Sequence, residues 1–291
     1  MQEGGKVRYG RVNLYLDYEK AGVRNKPDRT PYFDAYLLDD PMKGSAGVKK
    51  RDALIVIPGG GYHDLSSRES DPIAFAFSAK GCQTFVLYYT VGKSGVFPMA
   101  LMELALAVKT VRAHADEWEI DPDRIFIAGF SAGGHLAASL ANFYDKEFLL
   151  RALDATEDEI KPNGCILAYP VITSKEFAHR NSFRYLLGET DPDETLLALN
   201  SLEDQVSEKT SPTFLWHTMT DQTVPVENAL LYAQALRKNH IDAEIHIFRR
   251  GCHGLALANR ETDANGRFLL PTAEIWTELA AAWMQDLSNE A

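Results

Sequence analysis

Six short, uninterrupted apolar runs limit the fold of this 291-residue chain more than any other feature. They span residues 53–57, 84–89, 124–128, 165–169, 213–216 and 244–248. A strand buried on one face alternates apolar and polar residues. A run that is apolar throughout is buried on both faces, which implies a parallel strand covered by helices. Helical stretches separate most of these runs. The clearest, 98–114, places Leu101, Leu104, Ala105, Val108 and Val111 on one face, with Pro98 near its start. Others cover 72–80, 134–143, 227–239 and 271–287. Near the N-terminus, Val12, Leu14 and Leu16 alternate with other residues and predict an edge strand, with 35–38 as its partner. The expectation is a single α/β domain over 1–291, with a mostly parallel central sheet and helices on both faces. Residues 171–210 interrupt the rhythm. They read as a small cap insertion over the strand ends, or else as an ordinary crossover helix with long loops.

The run 124–128, bounded by the turn signal Asp121-Pro122-Asp123, leads into Gly129-Phe130-Ser131-Ala132-Gly133, and the Ala/Leu-rich stretch after it reads as helix. Gly-x-Ser-x-Gly between strand and helix marks a sharp, strained turn that lifts a serine hydroxyl above the sheet edge. The same letters also suit a plain helix N-terminus, so the motif needs company. Acyl transfer by serine requires a base, a group to orient that base, and donors for the oxyanion. His253 follows the last apolar run in a Gly-flanked loop and is the candidate base. His246 competes from within that run, where it reads as packed. His114 and His135 read as helical, and His179 and His240 as solvated surface. Asp221 stands in the loop after 213–216, just before Val224-Pro225, either as the orienting carboxylate or as an Asx turn. Asp191, within the insertion, is the other carboxylate considered. Gly59-Gly60-Gly61 follow the run 53–57 and leave amides free to face a developing negative charge. The Ala132 amide at the helix N-terminus is a second donor. No Lys-Ser/Thr pair and no G-x-G-x-x-G spacing supports a phosphate cradle.

Bulk composition narrows the partners. A formal net charge of −11 argues against nucleic acid and against an anionic membrane surface. The three cysteines, Cys82, Cys165 and Cys252, lack C-x-x-C spacing and suggest neither a disulfide framework nor a zinc site. No signal-peptide core opens the chain and no 18-residue apolar run occurs in it, so a cytoplasmic location is the expectation. No metal or organic cofactor is expected, and a homo-oligomer is left open.

With these residues assembled, the chain resembles the α/β-hydrolase superfamily, in the esterase branch related to hormone-sensitive lipase, and closer still the bacterial acetyl-xylan-esterase-like proteins. The matching segments are Pro58-Gly59-Gly60-Gly61-Tyr62, Asp121-Pro122-Asp123-Arg124-Ile125, Gly129 to Ala137, Ser211 to His217, Asp221 with Val224-Pro225-Val226, and Gly251-Cys252-His253-Gly254. The resemblance implies Ser131 as nucleophile, Asp221 as acid, His253 as base, and Gly60, Gly61 and Ala132 as oxyanion donors. It implies a small acylated substrate, such as an acetylated sugar; the same machinery would also serve a formamide, peptide or lipid ester, or survive in a non-catalytic binding protein. Two positions depart from the family. Pro58 stands where the related lipases carry His, which bears on which glycine donates. Tyr89-Thr90 replaces Tyr-Arg, which bears on the mouth of the site. Tyr62, Phe97 and Tyr185 are open candidates for lining the pocket.

Overall fold

Alternate residues of the central strands face two separate apolar cores, as parallel strands covered on both sides require. In this computed structural model, residues 7–21, 23, 26–39, 50–188 and 193–287 are described. Among them are eight strands: β1 (Val7–Asn13), β2 (Tyr32–Leu38), β3 (Arg51–Ile57), β4 (Gln83–Tyr88), β5 (Ile120–Phe130), β6 (Gly164–Ala168), β7 (Thr213–Thr218) and β8 (Ala243–Phe248). They form one sheet in the order β1-β2-β4-β3-β5-β6-β7-β8. The β1–β2 and β2–β4 pairs are antiparallel and the others parallel. From β3, Ala53, Ile55 and Ile57 enter the core shared with the helices Met99–Ala113, Ala132–Phe143 and Glu227–Lys238. Leu54 and Val56 enter the other core, beneath Asp71–Ser78 and Trp276–Asp286.

All six apolar runs fall in strands; β5 begins four residues before its run, and β4 and β6 each end one residue before theirs. Three local expectations differ. The N-terminal edge strand ends at Asn13, so Leu14 and Leu16 lie beyond it. Its exposed residues are held by the Tyr9–Tyr36 ring contact and by the Arg11 fork on Asp34 (2.8 and 2.9 Å), not by apolar alternation. Asp121-Pro122-Asp123 does not precede β5 but bulges within it: Arg51 pairs with Ile120, whereas Ala53 already pairs with Ile125. The helix expected over 271–287 is interrupted at Ile275, after which Trp276 is fully buried and its indole donates to the Ala256 carbonyl (2.9 Å).

Residues 171–210 carry the helices Arg180–Leu187 and Glu194–Leu199 and a 3-10 turn, Leu202–Asp204. Asp191 lies outside the described residues. No helix among the described residues is long and apolar enough to cross a membrane.

Candidate active site

The site begins where β5 stops. Ser131 follows Phe130 directly with φ 54° and ψ −116°, a conformation that side-chain-bearing residues rarely adopt. Its amide donates to the Ala168 carbonyl at the end of β6 (3.0 Å), and its carbonyl accepts from Val171 (3.0 Å), so the turn is clamped by the neighbouring strand. The flanking glycines are steric necessities. A Cβ on Gly129 would lie 2.2 Å from the Gly133 carbonyl oxygen, and one on Gly133 would lie 2.2 Å from that of Ile57.

Loops from β7 and β8 deliver the other two side chains. His253 Nε2 lies 2.7 Å from Ser131 Oγ, and His253 Nδ1 lies 2.7 Å from Asp221 Oδ2. Thr218 and Thr220 hydroxyls both donate to the Gly251 carbonyl (3.1 Å each), which pins the histidine loop onto the aspartate loop. Asp221 forms the Asx turn its sequence context suggested and also faces His253. Oδ1 takes the amides of Thr223 (2.9 Å) and Val224 (3.0 Å), an Asx-type turn, while Oδ2 faces the histidine. Burial alone would raise this carboxyl, but hydrogen bonds from His217, His253 and the Thr223 amide outweigh it and hold it well below the usual carboxylate range.

The glycine loop lies on the opposite side of Ser131. Glu69, buried, accepts the Gly59 amide on Oε2 (3.0 Å) and the Tyr169 hydroxyl on Oε1 (2.8 Å). The Gly59 donor is therefore spent. The amides of Gly60, Gly61 and Ala132 donate to no protein acceptor among the described residues. Tyr169 in turn accepts the Ala256 amide (2.9 Å) and packs edge-on against the His253 ring at 5.1 Å. One buried carboxylate thus ties the glycine loop to the histidine loop.

A cleft of about 530 Å³ opens over Ser131 and His253, with Gly60 and Gly61 at its edge. His63 and Tyr185, whose rings lie 4.7 Å apart, line it together with His179 and Asn181. The opposite wall carries Glu69 and Arg68, whose guanidinium is fixed by the Thr262 and Gly254 carbonyls (2.7 and 2.8 Å) and stacks on Phe268. His179 is therefore half-buried in the cleft wall and hydrogen-bonded to Ser182 Oγ (2.8 Å), not solvated surface. Burial, then the charge of His253, lowers its pKa. Nothing in its local sequence signals this, because the cleft wall is assembled from distant segments that meet only in three dimensions.

The remaining candidates sort by geometry. His135 is buried between the Tyr62 hydroxyl and the Asn200 carbonyl (2.9 Å each). Tyr62 packs the glycine loop from beneath and does not line the cleft. Phe97 packs on Phe148 and is also absent from the lining. His246 sits in β8 against Glu244 (2.6 Å), His114 stacks on Trp118, and His240 is exposed. Tyr89 and Thr90 do not shape the mouth. Both are buried, Tyr89 donating to the Pro58 carbonyl (2.8 Å) and Thr90 bound through its amide and hydroxyl to Glu103 (2.6 Å each).

Comparison with known proteins identifies the family. Residues 41–236, more than half of the chain, match the model of the family described as BD-FAE. The chain belongs to the BD-FAE family of α/β-hydrolase esterases. This BD-FAE chain is 40% identical over 234 residues to an endo-1,4-beta-xylanase B of Butyrivibrio fibrisolvens, covering 79% of this chain and 35% of that protein. It is 30% identical over 207 residues to an acetylxylan esterase of Xylanibacter ruminicola, covering 69% and 40% respectively. The chain thus spans little more than a third of these curated relatives. An acetyl ester-xyloside bifunctional hydrolase from Caldicellulosiruptor lactoaceticus superposes with a TM-score of 0.79 at 35% identity, covering 96% of both chains.

Proposed function

We propose that this protein is a serine carboxylesterase that removes short acyl groups, acetyl foremost, from a carbohydrate alcohol. The observation that carries the proposal is the unbroken hydrogen-bond chain from Ser131 through His253 to Asp221. In this mechanism His253 takes the Ser131 proton as Oγ attacks the ester carbonyl, and Asp221 stabilises the imidazolium that forms. Gly60, Gly61 and Ala132 donate to the tetrahedral oxyanion; the engagement of Gly59 with Glu69 supports the choice of the two later glycines. His253 then returns the proton to the leaving alcohol, and water repeats the sequence on the acyl-enzyme. The polar lining supplied by His63, Asn181, Tyr185 and Arg68 suits a hydroxyl-rich alcohol, as do the names of the relatives. Because His179, Asn181 and Tyr185 reach this lining from residues 171–210, that segment acts as a small cap on a single domain spanning 1–291.

Steady-state hydrolysis tests the proposal. The wild type should turn over p-nitrophenyl acetate, lose rate as the acyl chain lengthens to octanoyl, and release acetate from acetylated xylan. Ser131→Ala should abolish all of these while keeping its circular dichroism spectrum. Wild-type rates in Ser131→Ala would refute the assignment.

A further inference from the structure

Asp221 has two histidine neighbours, and the mechanism above uses only one of them. His217 is the penultimate residue of β7, four residues before Asp221, and none of its side chain is exposed. Its Nε2 lies 3.3 Å from Asp221 Oδ2, the same oxygen that faces His253. Nε2 also lies 3.0 Å from the Val224 carbonyl, which can only accept. The proton must therefore sit on Nε2. The second ring nitrogen, Nδ1, is buried without a hydrogen-bond partner among the described residues. A proton there would leave a cationic ring with an unpaired donor inside the core, so the ring is the neutral Nε2–H tautomer. Filling a core position with such a ring is costly, because an orphaned buried nitrogen is unfavourable and a phenyl ring would occupy the same space without one. What the imidazole adds is a single N–H shared between Val224 and Asp221.

We infer that His217 is a positioning residue for the reaction, donating from Nε2 to the Asp221 carboxylate and fixing the direction in which Oδ2 faces His253. The amides of Thr223 and Val224 hold Oδ1, and His217 approaches Oδ2, the oxygen that also faces His253. With three donors in place before His253 is counted, the carboxylate cannot turn away when Ser131 is acylated, and the His253 tautomer stays correct through both half-reactions. The inference rests on the esterase reading and adds a residue to it.

Two kinds of measurement test it. In nitrogen-15 histidine spectra of the wild-type protein, His217 should be the neutral Nε2–H tautomer at pH 7; a cationic ring or an Nδ1–H tautomer would overturn the inference, and no variant needs to fold for this result. In kinetics with p-nitrophenyl acetate, His217→Phe should lower kcat by about tenfold or more with KM nearly unchanged, the effect of losing one hydrogen bond to a charged group. His217→Gln, whose amide can still donate, should recover most of that loss. Wild-type kcat in His217→Phe, or an equal loss in His217→Gln, would overturn the inference while leaving the esterase reading intact. That reading fails separately if the wild type itself does not turn over the ester.

Discussion

Ser131 sits in a strained turn, and its neighbours show what the strain requires. The two flanking glycines are the positions where even a methyl group collides with backbone. Gly133→Ala should therefore lower stability by about 1–3 kcal/mol, the range typical of forced overpacking, and reduce kcat by displacing the Ser131 hydroxyl. Thermal melting and p-nitrophenyl acetate kinetics on the same sample check both effects, and a variant with wild-type Tm would show that the turn relaxes freely. Asp221→Asn should retain the fold while kcat drops by a factor on the order of 10⁴, because an amide that donates to His253 favours the wrong tautomer. A loss below tenfold would mean that Asp221 serves only its Asx turn. At this scale much of the site was legible in the sequence. Strand, Gly-x-Ser-x-Gly and helix form one local pattern, and the loops bearing Asp221 and His253 each follow an apolar run. Glu69 and Arg68 were not legible, since each is held in the cleft by a segment 100 or more residues away, and His179 was not, since the cleft wall it joins forms only on folding.

At the level of elements, the glycine loop and the histidine loop form one unit through Glu69 and Tyr169. Glu69→Ala would leave a buried amide and a buried phenol unpaired, each worth about 1–3 kcal/mol. The expected outcome is a lower Tm together with a lower kcat, since the His253 ring leans on Tyr169. Unchanged kcat with a lowered Tm would confine Glu69 to stability. The central parallel strands were readable because burial on both faces writes itself into every residue of a strand. The edge strand β1 was misplaced because its stability comes from an ion pair and ring contacts with β2, which leave no period in its own sequence. The interruption at Ile275 was equally silent, since it depends on where Trp276 finds a partner.

Across the whole molecule, two buried titratable groups outside the proposed triad push stability in opposite directions with pH. Burial lowers the His135 pKa from 6.5 to about 4. Its unfolded form binds the extra proton, so its contribution is complete above pH 6.5 and is lost as the pH falls towards 4. Burial raises the Glu103 pKa from 4.5 to about 7, against the hydrogen bonds from Thr90. Here the folded form binds the extra proton, so the contribution is complete below pH 4.5 and is lost as the pH rises through 7. The two slopes offset one another in the wild type. Relative to it, His135→Gln should gain stability as the pH falls from 7 to 4.5, and Glu103→Gln should gain as the pH rises over the same range, each by up to about 3 kcal/mol. Urea midpoints at the two pH values read this directly, and parallel shifts in both variants would contradict it.

The central claim is that Ser131 becomes the acyl carrier because His253 activates it. Labelling with a fluorophosphonate, followed by mass spectrometry of the digested protein, tests this most directly. One phosphonyl group should appear on Ser131 in the wild type, none in Ser131→Ala, and the rate of labelling should collapse in His253→Ala. Ester hydrolysis by a wild-type protein whose Ser131 stays unmodified, or labelling at an undiminished rate without His253, would contradict the account.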